Sequence, residues 1–255
     1  MVGAAIGKIG HSVSFVVPAL NEEVVVEEVA REISRTVSSL VSTYEIILID
    51  DGSSDQTGAI MDRLAVELPR TRVVHNKPNI GLGACYQLGV REAKLDHVMM
   101  LCGDGGLPAS SLPPIIERIG TADIVVPWMP NLRAIKTPTR YFISRSYTTV
   151  MNVLSGHRLH YYNGLPVHRR GLLQQIKITS SGFGFQGEIL VKLLKSGCSY
   201  IEVPVRGAEA TNKTSVFRLR NLASVTKTVV KLVRELVRFR PVEADRGPAE
   251  ERRAA

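Results

Sequence analysis

The chain has 255 residues, 44% hydrophobic and 22% charged, which is an ordinary globular composition with length enough for a sizeable core. Cys85, Cys102 and Cys198 are odd in number and form no CxxC pair, and no apolar run approaches about 18 residues; reduced thiols are expected, with no disulfide framework, zinc site, secretory leader or spanning helix. The net charge of +8 is segregated, with 10 Lys/Arg against 16 Asp/Glu in residues 1–130 and 19 against 4 in residues 131–240, so the first half suits a cation or polar ligand and the second an anionic partner.

Ser12–Val17 reads as a buried strand that ends in Pro18-Ala19-Leu20-Asn21-Glu22-Glu23. Val25, Val29, Ile33, Val37 and Leu40 then recur at helical spacing, with acids crowding the first turns. A second strand over 44–50 delivers Asp50 and Asp51 to its carboxyl end, and a Gly52-Ser53 turn leads to a helix over about 56–68. Arg72–His75 is a third strand. Gly81-Leu82-Gly83 opens a helix that runs to about 94, and His97–Cys102 is a fourth strand, followed by Gly103-Asp104-Gly105. Ala122–Pro127 is a fifth. This alternation predicts an α/β fold with a mostly parallel sheet covered on both faces.

Beyond 130 the alternation weakens. Helices are expected over Thr139–Leu154 and Gly187–Lys195, an irregular loop or strand over Tyr161–His168, and a strand over Tyr200–Val205. Val216–Phe239 reads as a long basic amphipathic helix. Leu219, Leu222, Val225, Val229, Leu232, Val233 and Leu236 form its apolar stripe, opposed by Arg218, Arg220, Lys227, Lys231, Arg234, Arg238 and Arg240. Such a helix suits an acidic membrane surface, or else packs on the core with a solvated basic face. Nucleic acid is not expected as a partner, because an aromatic content of 5% offers little for stacking. Residues 241–255, rich in Pro, Glu, Arg and Ala, read as a disordered tail.

In an open α/β sheet, ligands bind past the carboxyl ends of the strands. Asp50/Asp51 and Asp104 fall at the same end of one sheet, and a hard cation such as Mg²⁺ takes few carboxylates there, completing its shell with phosphate oxygens and water. An ordinary capped turn accounts for either acidic segment taken alone. Gly81-Leu82-Gly83 lacks the spacing of a GxGxxG phosphate loop. The six histidines form no HxxxH or HExxH pair, so no histidine metal site is expected.

With Pro18–Glu23, Ile49–Thr57, Asn79–Ala84 and Gly103–Gly105 in this order and spacing, the chain resembles the family-2 inverting glycosyltransferases. Downstream, Arg140–Arg145, Asn163–Arg170, Gly184–Leu190, Ile201–Val205 and Asn212–Asn221 resemble the dolichyl/polyprenol-phosphate mannosyltransferase-like branch. The resemblance implies a GT-A, Rossmann-like fold in a single domain over 1–240. Its parts would be a nucleotide-sugar half (1–130), an acceptor side (131–210) and the basic helix (211–240). It implies that Pro18, Ala19, Asn21 and Glu22 with Asp50 line the base and ribose pocket. Asp51, Gly81, Gly83 and Gly103 would complete the donor-binding corner. Asp104 would be the metal-bearing acid, with Mg²⁺ or Mn²⁺ as cofactor, and Arg140, Arg145 and Lys213 would grip donor diphosphate or acceptor phosphate. The sequence departs from the family where Cys102 replaces the first acid of Asp-x-Asp, Gly106 a frequent Gln, and His160 and Gly164-Leu165-Pro166 the usual Asp-x-x-x-Gly-Phe-Arg. Thr214-Ser215 replaces a Ser-Lys pair, and the processive QxxRW signature is absent. The expected activity is inverting transfer of one sugar from a nucleoside diphosphate to a polyprenyl phosphate or related lipid. The enzyme would be peripheral at the cytoplasmic face of an anionic membrane held through 216–240. A saccharide or soluble acceptor, or donor binding without turnover, are the alternatives.

Overall fold

The computed structural model describes residues 9–103, 107–182, 184–207 and 229–241. The expectations for Asp104, Lys213, residues 216–228 and the tail from 242 therefore lie outside the described residues.

The organising strand is β1, Ile9–Ala19, in which seven consecutive residues from Val13 to Ala19 are buried. A strand buried on both faces needs a continuous apolar run rather than alternation. Val and Phe dominate this one. After it, α1 (Val26–Leu40) covers the sheet through Val26, Ala30, Ile33 and Val37. That stripe is set one residue on from Val25 and Val29, the first two positions of the sequence-predicted face. β2 (Val41–Asp50) lies parallel to β1, with Ala19 opposite Asp50. α2 (Thr57–Glu67) leads to β3 (Thr71–His75), parallel to β2 with His75 opposite Asp50. α3 (Leu82–Glu92) leads to β4 (His97–Met100), which lies on the other side of β1 with Met100 opposite Val16.

The remaining half has shorter strands and, in α6, an 18-residue helix. Its elements are α4 (Leu112–Ile116), β5 (Ile124–Trp128), α5 (Leu132–Ile135), α6 (Pro138–Ser155) and β6 (Val167–Arg169). α7 (Arg170–Gln175), α8 (Phe185–Lys195) and β7 (Tyr200–Pro204) follow. All seven strands join one sheet in the order β3-β2-β1-β4-β6-β5-β7. β6 runs antiparallel to both β4 and β5, while β5 and β7 are parallel. The parallel strands thus present their carboxyl ends along one edge, and the chain entering β6 crosses that same edge.

Residues 229–236 are helical and return to the core. Leu232 is 1% exposed, and Val229 and Leu236 pack beside it. Lys192 of α8, itself buried, binds Glu188 at 2.6 Å, Glu235 at 2.8 Å and the Lys177 carbonyl at 2.7 Å. The described turns therefore commit Val229, Leu232 and Leu236 to the protein. Val233, expected on the same stripe, is half exposed and falls with Val230 and Val237 on the outer side.

Candidate active site at the carboxyl edge of the sheet

The ends of β1, β2 and β4 converge. The Asp51 amide donates to the Ala19 carbonyl at 3.0 Å, and the Gly103 amide donates to the Pro18 carbonyl at 3.1 Å. A Cβ on Gly103 would stand 2.9 Å from that of Ala19, so only glycine lets this turn lie against the end of β1. Pro18, Ala19, Asp50, Asp51 and Gly103 are thereby brought into one corner.

Two loops bound this corner and are laced to each other. The Asn21 amide donates to Ser53 Oγ at 3.0 Å, and Asn21 Oδ1 accepts from the Ser54 amide at 2.8 Å. The Glu22 amide donates to Thr57 Oγ1 at 2.8 Å. The Glu23 amide reaches Asp55, and the Gln56 amide donates back to Glu23 Oε2 at 2.9 Å. Asp55 Oδ1 also caps the Thr57 amide at 3.0 Å. Polar residues of both motifs thus fix the shape of the corner by bonding across it, 32 to 35 positions apart in sequence.

The acid pair divides its duties. Asp51, 4% exposed, accepts from the Ile80 and Gly81 amides, each at 2.9 Å. Its carboxylate anchors the glycine loop in the manner of an oxyanion in a backbone nest. Gly81 has φ +88°, a conformation that favours glycine. The Gly83 amide donates to the Ser181 carbonyl at 2.8 Å, and a Cβ there would meet the Ser180 carbonyl oxygen at 2.6 Å. The glycine loop is therefore clamped between Asp51 and the 180–181 turn. That turn is held in place by Glu188, which accepts from the Thr179 and Ser180 amides at 2.8 and 2.9 Å. Burial pushes the Glu188 carboxyl up, but hydrogen bonds from Lys192 and Ser180 more than offset this and hold it below its usual value.

Asp50 accepts from the Ser53 amide at 2.9 Å and faces His75 Nδ1 at 3.0 Å. Burial raises its pKa, but the bonds from Ser53 and His75 outweigh that and keep it lowered. His75 Nε2 meets Asp62 at 3.0 Å, and hydrogen bonding to Asp50 and then Asp62 raises the imidazole pKa. With their oxygens committed in this way, Asp50 and Asp51 do not make a cradle for a hard cation. No group of three metal-ligating side chains occurs among the described residues. The fit of a cation therefore turns on Asp104, which lies outside the described residues two positions after the half-buried Cys102. Cys85 and Cys198 are buried and free; burial pushes the Cys198 thiol up to about 11 and that of Cys85 higher still.

The two described basic candidates both lie on α6. Arg140 is in the first turn of α6, and Arg145, further along, lines a cleft of about 520 Å³ between α6 and the 156–160 loop. A carboxylate–imidazole pair that the sequence reading passed over also stands here. His160 Nδ1 lies 2.8 Å from Glu202 Oε2, its amide donates to Glu202 Oε1 at 2.7 Å, and its ring stacks on Trp128 at 4.1 Å. Trp128 ends β5, so this pair reaches the carboxyl edge. The signal in the sequence was the place of His160 where the family carries an acid; its partner Glu202 lies 42 residues away.

The model of glycosyl transferase family 2 matches residues 14–177, more than half of the chain. Undecaprenyl-phosphate mannosyltransferase from Micrococcus luteus is 28% identical over 204 residues, covering 76% of this chain and 82% of that protein. Polyprenol monophosphomannose synthase from Mycolicibacterium smegmatis is 29% identical over 177 residues, covering 64% of this chain and 66% of that one. Among solved structures, glucosyl-3-phosphoglycerate synthase from Mycobacterium tuberculosis, in complex with Mn²⁺, uridine diphosphate and glucosyl-3-phosphoglycerate, superposes with a TM-score of 0.65. It is 19% identical and covers 91% of this chain and 81% of that one, a likeness of fold. The chain belongs to glycosyl transferase family 2 and is a glycosyltransferase of the GT-A fold.

Proposed function

We propose that this enzyme moves a single sugar from a nucleoside diphosphate to a polyprenyl phosphate, with inversion at the anomeric carbon. The observation that carries the reading is the laced corner at the ends of β1, β2 and β4, joined by the names of the two relatives, both polyprenol-phosphate sugar transferases. Pro18, Ala19, Asn21, Glu22 and Asp50 form the wall for base and ribose. Asp51, Gly81, Gly83 and Gly103 hold the backbone around it. Arg140, Arg145 and Lys213 neutralise diphosphate and acceptor phosphate, as guanidinium forks and ammonium groups do.

In the reaction an acceptor phosphate oxygen forms a bond to the anomeric carbon while the carbon–oxygen bond to the leaving nucleoside diphosphate breaks on the opposite face. Negative charge grows on the leaving group, so fixed positive charge aimed there lowers the barrier. A divalent cation, when bound at Asp104, supplies Lewis-acid stabilisation of that charge. A lipid phosphate is already anionic and needs no general base. The enzyme is peripheral at the cytoplasmic face, with the basic segment 216–240 attracted to anionic lipid.

The test is transfer by the purified protein from a panel of nucleotide sugars to polyprenyl phosphate with Mg²⁺ or Mn²⁺. Sugar transfer to the lipid is expected; tight donor binding with no transfer to any acceptor overturns the reading. A hydroxyl acceptor is the second reading, favoured by the His160–Glu202 pair, because a hydroxyl has a proton to lose and an imidazole oriented by a carboxylate can take it. Transfer to saccharides that is lost in His160→Gln, with none to polyprenyl phosphate, would select it.

A further inference from the structure

α6 carries a surface that neither the donor corner nor the core uses. Phe142, Val150 and Val153 are exposed to 69%, 40% and 78%. At about 100° per residue they fall within an arc of about 80° on one side of the helix. Exposed Thr139 and Ser146 share the arc, which makes it an apolar-rich side of the helix with polar interruptions. The adjoining arc, with Arg145 and Asn152, forms one wall of the cleft, and Val153 stands on its rim. The opposite wall brings His157, Arg158 and His160, and among the described residues the nearest acid is Glu202, which is engaged with His160.

The cleft is held in shape. Asn152 pins Leu159 through both side-chain atoms, at 2.9 Å to its amide and 3.1 Å to its carbonyl. His160 is fixed by Glu202 and Trp128, as described. His157 packs edge-on against Tyr200, and its Nδ1 meets the Ser155 carbonyl at 3.1 Å. Arg145 and Arg158 remain exposed at the mouth.

We infer that α6 and this cleft are the docking surface for an anionic phospholipid bilayer. Phe142, Val150 and Val153 enter the interface, and the Arg145/Arg158 mouth receives a lipid phosphate. The occupant follows from charge and shape together. An apolar-rich helix side that runs beside a cleft with two exposed arginines matches a layer whose phosphates lie beside its acyl chains. A soluble phosphate would need the cleft but not the stripe. The inference rests, for its purpose, on the lipid-borne acceptor proposed above. It assigns insertion to α6 and leaves the basic segment 216–240 the role of electrostatic attraction, because the inner face of 229–236 is spent on the core.

The test is co-sedimentation of the full chain with vesicles of phosphatidylglycerol and phosphatidylcholine, without donor or polyprenyl phosphate. An enzyme with no transferase activity is thus still fully tested. Wild type is expected to bind anionic vesicles and to be released as salt rises. Phe142→Asp/Val153→Asp, at exposed positions and checked for unchanged circular dichroism, should weaken binding at least tenfold. Arg145→Glu/Arg158→Glu should weaken it and flatten its salt dependence. Failure of wild type to bind, unchanged binding in Phe142→Asp/Val153→Asp, or loss confined to a Val233→Asp/Val237→Asp variant would overturn the inference. So would displacement of wild type by millimolar inorganic phosphate alone.

Discussion

At the scale of residues, the acid pair acts through its partners. Both ring nitrogens of His75 face carboxylates, which is the arrangement of an imidazolium. Its pKa is raised by the bonds to Asp50 and Asp62, so its contribution to stability is full below the unfolded value and is lost as pH rises through the folded one. The melting temperature of wild type should therefore fall as pH rises above the ordinary imidazole value of about 6.5. His75→Gln should flatten that decline, as differential scanning calorimetry at several pH values would show. Asp51→Asn makes a second case. An amide can present only one oxygen to the Ile80 and Gly81 amides, so one buried donor loses its partner. A stability loss of about 1–3 kcal/mol is expected in urea melts, together with weaker donor binding, because the glycine loop loses its anchor. The sequence placed Asp50 and Asp51 correctly at a strand end. It did not reveal how their oxygens are used, because Ile80, Gly81 and His75 come from other strands and loops that only the folded chain brings near.

At the scale of elements, legibility followed length and continuity of the apolar pattern. β1, β2 and α1 were readable because Val13–Ala19 and Ile46–Ile49 are unbroken buried runs and the α1 stripe keeps its period over 15 residues. β6 was left open between loop and strand, since it has three residues, centred on a buried histidine, and owes its pairing to β4 and β5 rather than to its own pattern. α4 and α5 are shorter than two turns and left no periodic trace. The C-terminal helix was legible as amphipathic, but its orientation depends on Lys192, a basic residue in a helix that is otherwise buried almost throughout. Lys192 neutralises Glu188 and receives Glu235, so Lys192→Met leaves a buried carboxylate uncompensated. A destabilisation of about 3–5 kcal/mol is expected. Hydrogen exchange should show 229–236 losing protection before the sheet does; equal protection in wild type and variant would mean that Val229, Leu232 and Leu236 dock the helix without Lys192. The same change should loosen the 180–181 turn that Glu188 holds, and with it the clamp on Gly83.

At the scale of the whole molecule, the segregated charge acquires a geometric meaning. The acid-rich half supplies β1 to β5 and the laced corner, while the basic half supplies α5 to α8 and the strands β6 and β7 that flank β5. A diphosphate at the carboxyl edge would lie where the two halves meet, with its cation on the acidic side and its counter-charges on the basic side. Cys102 is the residue through which this balance can be tested, because it stands where the family carries an acid and lies one residue before Gly103, which is packed on the end of β1. A hard cation prefers oxygen ligands to a neutral thiol, so Cys102→Asp should add one carboxylate to Asp104 and tighten Mn²⁺ binding at least tenfold, about 1.4 kcal/mol. Titration of Mn²⁺ by electron paramagnetic resonance, with and without uridine diphosphate, measures this directly. The transfer rate should then saturate at lower Mn²⁺ than in wild type, and chelator should cost the variant a larger share of its rate. Unchanged Mn²⁺ affinity would mean that position 102 does not face the cation and that the basic half carries the leaving-group charge without a second acid.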